Sequence, residues 1–403
     1  MSTANVPQAS HDRPFAGLRV LDTSQGLAGP YCGMLLAQYG AEVIKLEPPD
    51  GDWARLLGTR HGSHSALDYM GNRGKRSIAV DLKAAGAVDM VRRMAAQCDV
   101  MIENNRPGVA AKLGIGYEDI ARVRADIIYL SVTGFGQSGE MAMKPATDMV
   151  IQGFSGMMST NKDDAGKPRK IGFVLVDEVT AMYAFQAVSA ALYARKMGAG
   201  GKRLDVSLMQ SAAALLSSKI VEACLEGDDP APLNTPGGSY RTQDGWIAIT
   251  LSKEPFYVAL CKATGREDLA ADPRFANFQL RAQHIRYLED QFAEVLKHKT
   301  TAQWMEIFSA HGVLAAHVNS VGDWTRHPDV VALNVAPPAT DGVRRFVFPT
   351  TPGAAPLAEG DPRADWPDVG AHGVELLTEF GFSGAEIEEL QARGALAQPV
   401  QPA

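Results

Sequence analysis

The run GLRVLDTSQGLAGPYCGMLLAQYGAEVIKLEPPDGD, Gly17 to Asp52, decides the fold. Arg19 to Asp22 is a short apolar segment of strand type, and Glu42 to Glu47 is a second. Between them Pro30 stands where a first helical turn tolerates it. Tyr31 to Tyr39 continues the helix with Met34, Leu35 and Leu36, and Gly40 stops it. A strand, a helix and a second strand in this order place the two strands parallel.

The alternation continues outward. Ser77 to Asp81, Val100 to Glu103 and Ile127 to Val132 read as further strands, and Ala84 to Gln97 as a helix that buries Val88, Val91 and Met94. After Pro145 come helical runs at Asp148 to Met158 and Glu178 to Met197, a strand at Arg203 to Val206 and a helix from Ser207 to Glu226. The fold class is α/β, a largely parallel sheet covered by helices. Gly227 to Gly238 carries three prolines and three glycines and reads as a linker. A smaller domain follows, with Trp246 to Leu251 as a strand and mostly helical sequence to about His327. A second breaker-rich stretch, Pro337 to Pro367, leads to terminal helices around Val374 to Phe380 and Ala385 to Arg393. The expected division is a large domain from 1 to 226, a small domain from 227 to 330, and a return of 331 to 403 to the large domain.

Composition narrows the function. The chain has 403 residues, 46% of them hydrophobic and 21% charged, which fits a globular protein of two domains. A net charge of -7 offers no basic footprint for a nucleic-acid backbone. Cys32, Cys98, Cys224 and Cys261 are far apart, with no histidine at zinc-ligand spacing, so neither disulfides nor a metal site is expected. The first fourteen residues are polar, and no window has the apolar length of a membrane span. A cytoplasmic protein with no membrane partner is the expectation.

Most of the tempting motifs fail on context. GFGQSG, Gly134 to Gly139, satisfies GxGxxG, but Pro145 interrupts the helix that a dinucleotide site requires, and a turn bringing backbone near a ligand is the better reading. GNRGKRS, Gly71 to Ser77, lacks the spacing of a phosphate loop. His61 and His64 have no third ligand nearby, and no serine occupies a GxSxG elbow. Asp177 stands apart, because IGFVLVD, Ile171 to Asp177, is an apolar run ending in a carboxylate just before a helix expected from Glu178. Such an aspartate reads as an N-cap, held ionised by the helix amides and dipole. That is also the state of a nucleophilic carboxylate.

Several segments taken in order resemble the class III CoA-transferase family, which includes formyl-CoA and carnitine CoA-transferases. They are the opening run, NRGKRSIAVDLK (Asn72 to Lys83), DVMIENNRPG (Asp99 to Gly108), SVTGFGQSG (Ser131 to Gly139), the Asp177 segment and the tail GAHGVELLTEFGFSGAEIEELQARG. The resemblance covers about Pro14 to Gly394. It implies a Rossmann-like large domain with a smaller α+β domain, in an obligate interlocked homodimer. It also implies an acyl-CoA and a small carboxylic acid as reactants, coenzyme A as substrate and no prosthetic group. Asp177 matches the family's catalytic aspartate, and Gly237 and Gly238 lie near where some members carry a glycine loop over the intermediates. Gly26, Leu27 and Ala28 match the turn that meets the coenzyme. Val80 and Lys83 match positions near its adenine and phosphates, and Asn104, Lys112 and Phe135 complete the matching set. Leu27, Pro48, Lys112 and Phe135 replace a glutamine, two arginines and a tyrosine of the formyl-CoA enzyme, which points away from formyl-CoA or oxalate as substrate. Two alternatives remain. The family's α-methylacyl-CoA racemases carry a histidine where this chain has Thr147, and a non-catalytic CoA-binding protein would not need Asp177.

Overall fold

The computed structural model describes residues 9–399 except 164, 228, 229, 233 and 359. The chain divides into two compact units, one of residues 1–217 and 337–403, the other of residues 218–336.

In the first unit six strands form one parallel sheet: β1 (Arg19–Asp22), β2 (Glu42–Glu47), β3 (Arg76–Ala79), β4 (Val100–Glu103), β5 (Ile128–Thr133) and β6 (Lys202–Ser207). Their order is β3-β2-β1-β4-β5-β6, the doubly wound order of Rossmann-like folds, which reverses direction between β1 and β4. Successive side chains face opposite sides. Val20, Val43, Val100 and Ile128 therefore pack on Cys32 and Leu36 of the helix Ala28–Gln38, and on Val176, Ala184 and Val188 of the helix Leu175–Lys196. Their neighbours Leu21, Ile44 and Met101 meet Met90, Val91 and Met94 on the other face, together with Leu376, Leu377, Ile387 and Leu390 from the returning C-terminal helices.

Several expected bounds shift for local reasons. The helix read as Ala84 to Gln97 begins at Ala87 because Gly86 takes a left-handed conformation and the preceding residues form a turn. The run from Ser207 breaks into two helices, Leu208–Leu215 and Ser217–Glu226. The stretch Asp148 to Met158 is helical only to Phe154, and a short 3-10 turn, Met157–Thr160, follows a left-handed Gly156. The helix expected from Glu178 starts three residues earlier, at Leu175.

The second unit is an antiparallel sheet, β7 (Gly238–Arg241), β8 (Trp246–Ile249) and β9 (Ala315–His317), packed with helices around Tyr257, Phe275, Phe292, Trp304 and Phe308. Arg281, fully buried, ties this core together. Its guanidinium donates to the carbonyls of Thr235 and Phe275 and to Glu254, between the rings of Tyr257 and Phe278. A hairpin of β10 (Pro338–Thr340) and β11 (Arg345–Val347) opens the return to the first unit.

Beneath the carboxyl ends of β1, β2 and β3 lies a continuous buried ionic network. Lys75 Nζ donates to Asp22 Oδ2 at 2.7 Å, to the Pro30 carbonyl at 2.7 Å and to Asn72 at 2.9 Å. Lys45 Nζ donates to Asp52 at 2.7 Å and to the Ser24 carbonyl. Glu47 accepts a two-pronged pair from Arg55, at 2.9 and 3.0 Å, and the Ser77 hydroxyl at 2.6 Å. Burial works against charge at Asp22, but Lys75 and Lys45 outweigh it and hold the carboxyl below its ordinary range. Lys75→Met removes one partner and leaves Asp22 buried and uncompensated. The substitution is expected to destabilise by about 3–5 kcal/mol, read as a lowered urea midpoint, and Asp22→Leu in the same chain should recover much of the loss.

Candidate active site

Asp177 is the third residue of the helix Leu175–Lys196, not its cap. The helix ends where Arg195 donates to the carbonyls of Asp99 and Asp126, ahead of β4 and β5 at the amino edge of the sheet. Its 22 residues carry its start to the opposite, carboxyl edge. The cap comes from elsewhere in the chain. Buried Asp148, first residue of the helix Asp148–Phe154, accepts the backbone N–H of Val176 at 2.7 Å and of Asp177 at 3.3 Å on one carboxylate oxygen. Its other oxygen accepts Gln152 Nε2 at 2.6 Å, and Gln152 Oε1 accepts the Ile171 N–H at 2.8 Å. Asp148 and Gln152 thus fix both the approach to the helix and its first turn.

The expectation that amides hold Asp177 ionised is corrected by this arrangement. The helix donors go to Asp148, and burial pushes the Asp177 carboxyl up to about 7, with the charges of Asp148 and Glu178 adding to the effect. Glu178 is raised as well, by burial and by Asp148. An acid with this pKa is substantially ionised at neutral pH and more basic than an ordinary carboxylate, a balance suited to attack on a carbonyl or to proton transfer.

The other matched positions in this unit follow the carboxyl ends of β1, β3, β4 and β5. Gly26 is left-handed at φ +82, and a Cβ there would sit 2.4 Å from the Trp53 indole, so only glycine fits. Its N–H donates to Asp52 at 2.9 Å. Leu27 and Ala28 bury their side chains, which leaves backbone as their contribution to a ligand. The helix they open has no side-chain cap and no acid in its first turn. Asn104 spends its amide on the turn itself, accepting the Gln25 N–H at 2.9 Å and donating to the Gln25 carbonyl at 2.5 Å. It holds the β1 turn against the end of β4, where the sheet reverses and such folds bind ligands. Val80 packs in the core, its N–H on the Glu47 carbonyl. Lys83 and Lys112 are exposed and have no ion pair among the described residues. Phe135 is buried edge-on to Phe154, with ring centroids 5.2 Å apart.

Gly237 and Gly238 belong to the second unit. A Cβ on Gly237 would meet the Asn234 carbonyl at 2.7 Å, whereas Gly238 opens β7 with free space around it. Gly136 and Gly139 of GFGQSG are both left-handed, and turns rather than a helix follow them. Glu47, at the end of β2 where dinucleotide folds place a ribose-binding acid, is engaged by Arg55 and Ser77. His64 is held by Asp68. The described residues contain no cluster of three or more histidine, cysteine or acidic side chains able to hold a metal ion, and all four cysteines are free.

Asp148 and Gln152 carry no motif and escape a reading of the sequence, and Lys45 and Asp52 stand in the opening run with nothing local to mark them as buried partners. Only the spacing of Asp148 and Gln152, four apart on one helical face, hinted at a paired role.

Residues 15–373 match CoA-transferase family III, and the chain belongs to that family. It is an enzyme of the class III CoA-transferase type, and CoA thioesters are the substrates of that family. It is 30% identical to succinyl-CoA:glutarate CoA-transferase of Mus musculus, over 97% of this chain and 93% of the relative. It is 33% identical to acetyl-CoA:oxalate CoA-transferase of Acetobacter aceti, over 80% of this chain and 85% of the relative. Its fold is similar to the crystal structure of a CAIB/BAIF family protein from Brucella suis, with a TM-score of 0.80 and 29% identity, over 92% of this chain and all (100%) of that one. The orthorhombic form of Rv3272 from M. tuberculosis is similarly close, with a TM-score of 0.79 and 30% identity over 90% and 99% of the two chains.

The electrostatics give a direct expectation for the free enzyme. Carbon-13 NMR of side-chain-labelled aspartate should show Asp177 titrating near 7, within about a unit. In Asp148→Asn, which keeps an acceptor for the helix amides but removes the charge, that titration should move to lower pH.

Proposed function

We propose that this chain moves CoA from an acyl-CoA thioester to a carboxylic acid through covalent intermediates on Asp177. One Asp177 carboxylate oxygen attacks the thioester carbonyl, the carbon–sulfur bond breaks, and CoA leaves as thiolate. The product is a mixed anhydride between the acyl group and the aspartate. The thiolate then attacks the aspartyl carbonyl and expels the donor acid as its carboxylate, leaving an aspartyl-CoA thioester. An acceptor carboxylate reverses the two steps. One thioester replaces another, so the exchange is nearly isoenergetic and uses no ATP. Catalysis then rests on holding the reactants together and on donors placed at the developing oxyanions.

The observation that carries this reading is the placement of a half-buried carboxylate of raised pKa at the carboxyl edge of a doubly wound sheet. The coenzyme would run along that edge past Gly26 to Ala28, Lys83, Asn104 and Lys112. The names of the relatives, which include succinyl-CoA:glutarate and succinyl-CoA–D-citramalate CoA-transferases, make small dicarboxylates the acids to try first. Exposed apolar side chains at the end of the Asp177 helix, with Tyr193 68% and the following residue Met197 71% accessible, support a partner surface of the interlocked homodimer type.

Digestion and mass spectrometry after incubation with succinyl-CoA should find an adduct on the peptide carrying Asp177. Asp177→Ala should lose at least about a thousandfold in kcat, and full activity in that variant would overturn the assignment. The rate of adduct formation should rise with pH up to about 7 and level off above it, because only the ionised carboxylate attacks. Rapid deuterium uptake at the substrate α-carbon without CoA exchange would instead favour the racemase chemistry, for which Thr147 offers no base.

A further inference from the structure

A second concavity lies at the opposite edge of the sheet. A cavity of about 740 Å³ opens where the chain enters β1, β2 and β3, and Arg13, Arg19, Glu42, Arg363, Trp366 and His372 are among its lining residues. That volume suits a metabolite-sized ligand. All of the residues matched to catalysis or coenzyme binding lie outside it.

Its donors are incompletely used. Arg19 spends only Nε, on Glu42 at 2.8 Å, and its two terminal nitrogens have no partner among the described residues. Its guanidinium is held 5.1 Å over the Phe380 ring. The Arg13 backbone is fixed by a turn with Ser10 and by close packing on Gly40, yet its guanidinium has no hydrogen bond or ion pair among the described residues. His372 Nδ1 accepts the Ser77 N–H at 3.1 Å, which places the ring proton on Nε2. Burial, and then the Arg76 charge, lowers the His372 pKa and keeps the ring a neutral donor at pH 7.

Most of the acids nearby are committed. Glu42 is shared by Arg19 and Arg76, Asp99 by Arg124 and Arg195, and Asp361 is held by Arg363. Asp365 also lines the cavity, with no ion pair among the described residues, beside apolar surface from Trp366, Pro362 and Pro367.

We propose that this amino-edge cavity is a second binding site, separate from the catalytic edge, for a small organic acid. Its carboxylate is taken by the free forks of Arg13 and Arg19, with His372 Nε2–H as a neutral donor and the carbon chain against Trp366. Planar guanidinium forks match the geometry of a carboxylate.

Isothermal titration with succinate tests the assignment, using full-length protein with and without saturating CoA. Saturable binding should persist with CoA present and weaken about tenfold in Arg13→Met, a substitution of an exposed side chain that leaves the core untouched. A further loss is expected in Arg19→Met, with CoA affinity unchanged in both variants. No saturable binding, binding that CoA abolishes, or binding that Arg13→Met leaves intact would overturn the site. Inorganic phosphate bound as tightly as succinate would overturn the carboxylate assignment.

Discussion

The large unit depends on charge buried beneath the carboxyl ends of β1 to β3. Lys45, Arg55 and Lys75 are enclosed with Asp22, Glu47, Asp52 and Asp68, and every one of these groups is hydrogen-bonded. Burial alone disfavours each charge, so the network is stable only when complete. It joins segments remote in sequence, because Arg55 also donates to the Pro367 carbonyl and Ser77 Oγ accepts the Gly370 N–H. The return of the chain after its second unit is thus bound into the same polar centre that holds the first turn.

The geometry of the β1 turn follows from that centre. Asp52, itself anchored by Lys45, takes the Gly26 N–H, and Asn104 takes the Gln25 backbone from the side of β4. The turn is therefore gripped from both sides, by the segment that follows β2 and by the end of β4. The first helix leaves this turn with no side-chain cap at its amino end, and the surrounding structure sets its position.

At the far side of the same edge a different electrostatic arrangement governs Asp177. Asp148 stabilises the helix start through hydrogen bonds, and its charge adds to burial in making the neighbouring Asp177 a weaker acid. One carboxylate thus positions the other and makes it more basic. A helix amino end by itself would have had the opposite effect on Asp177.

The alternation of short apolar strands with helical runs was legible because parallel strands buried on both faces leave a strong local signal. β1, β2 and β4 have the bounds expected from their residues. The motif order also pointed to Asp177 and to the turn at Gly26. The sequence did not reveal where the Asp177 helix begins, since its cap is supplied by Asp148, 29 positions away, and no local pattern encodes that bond. Nor could it reveal that Asn104 grips backbone, that Val80 and Phe135 are buried, or that Lys45 and Lys75 are interior. A lysine in a strand reads as solvated until its partners are known. Periodicity and motif order by themselves determined the type of fold and singled out Asp177. Only the tertiary structure decided that acid's ionisation and the shape of the edge around it, because both depend on charges and hydrogen bonds between residues distant in sequence.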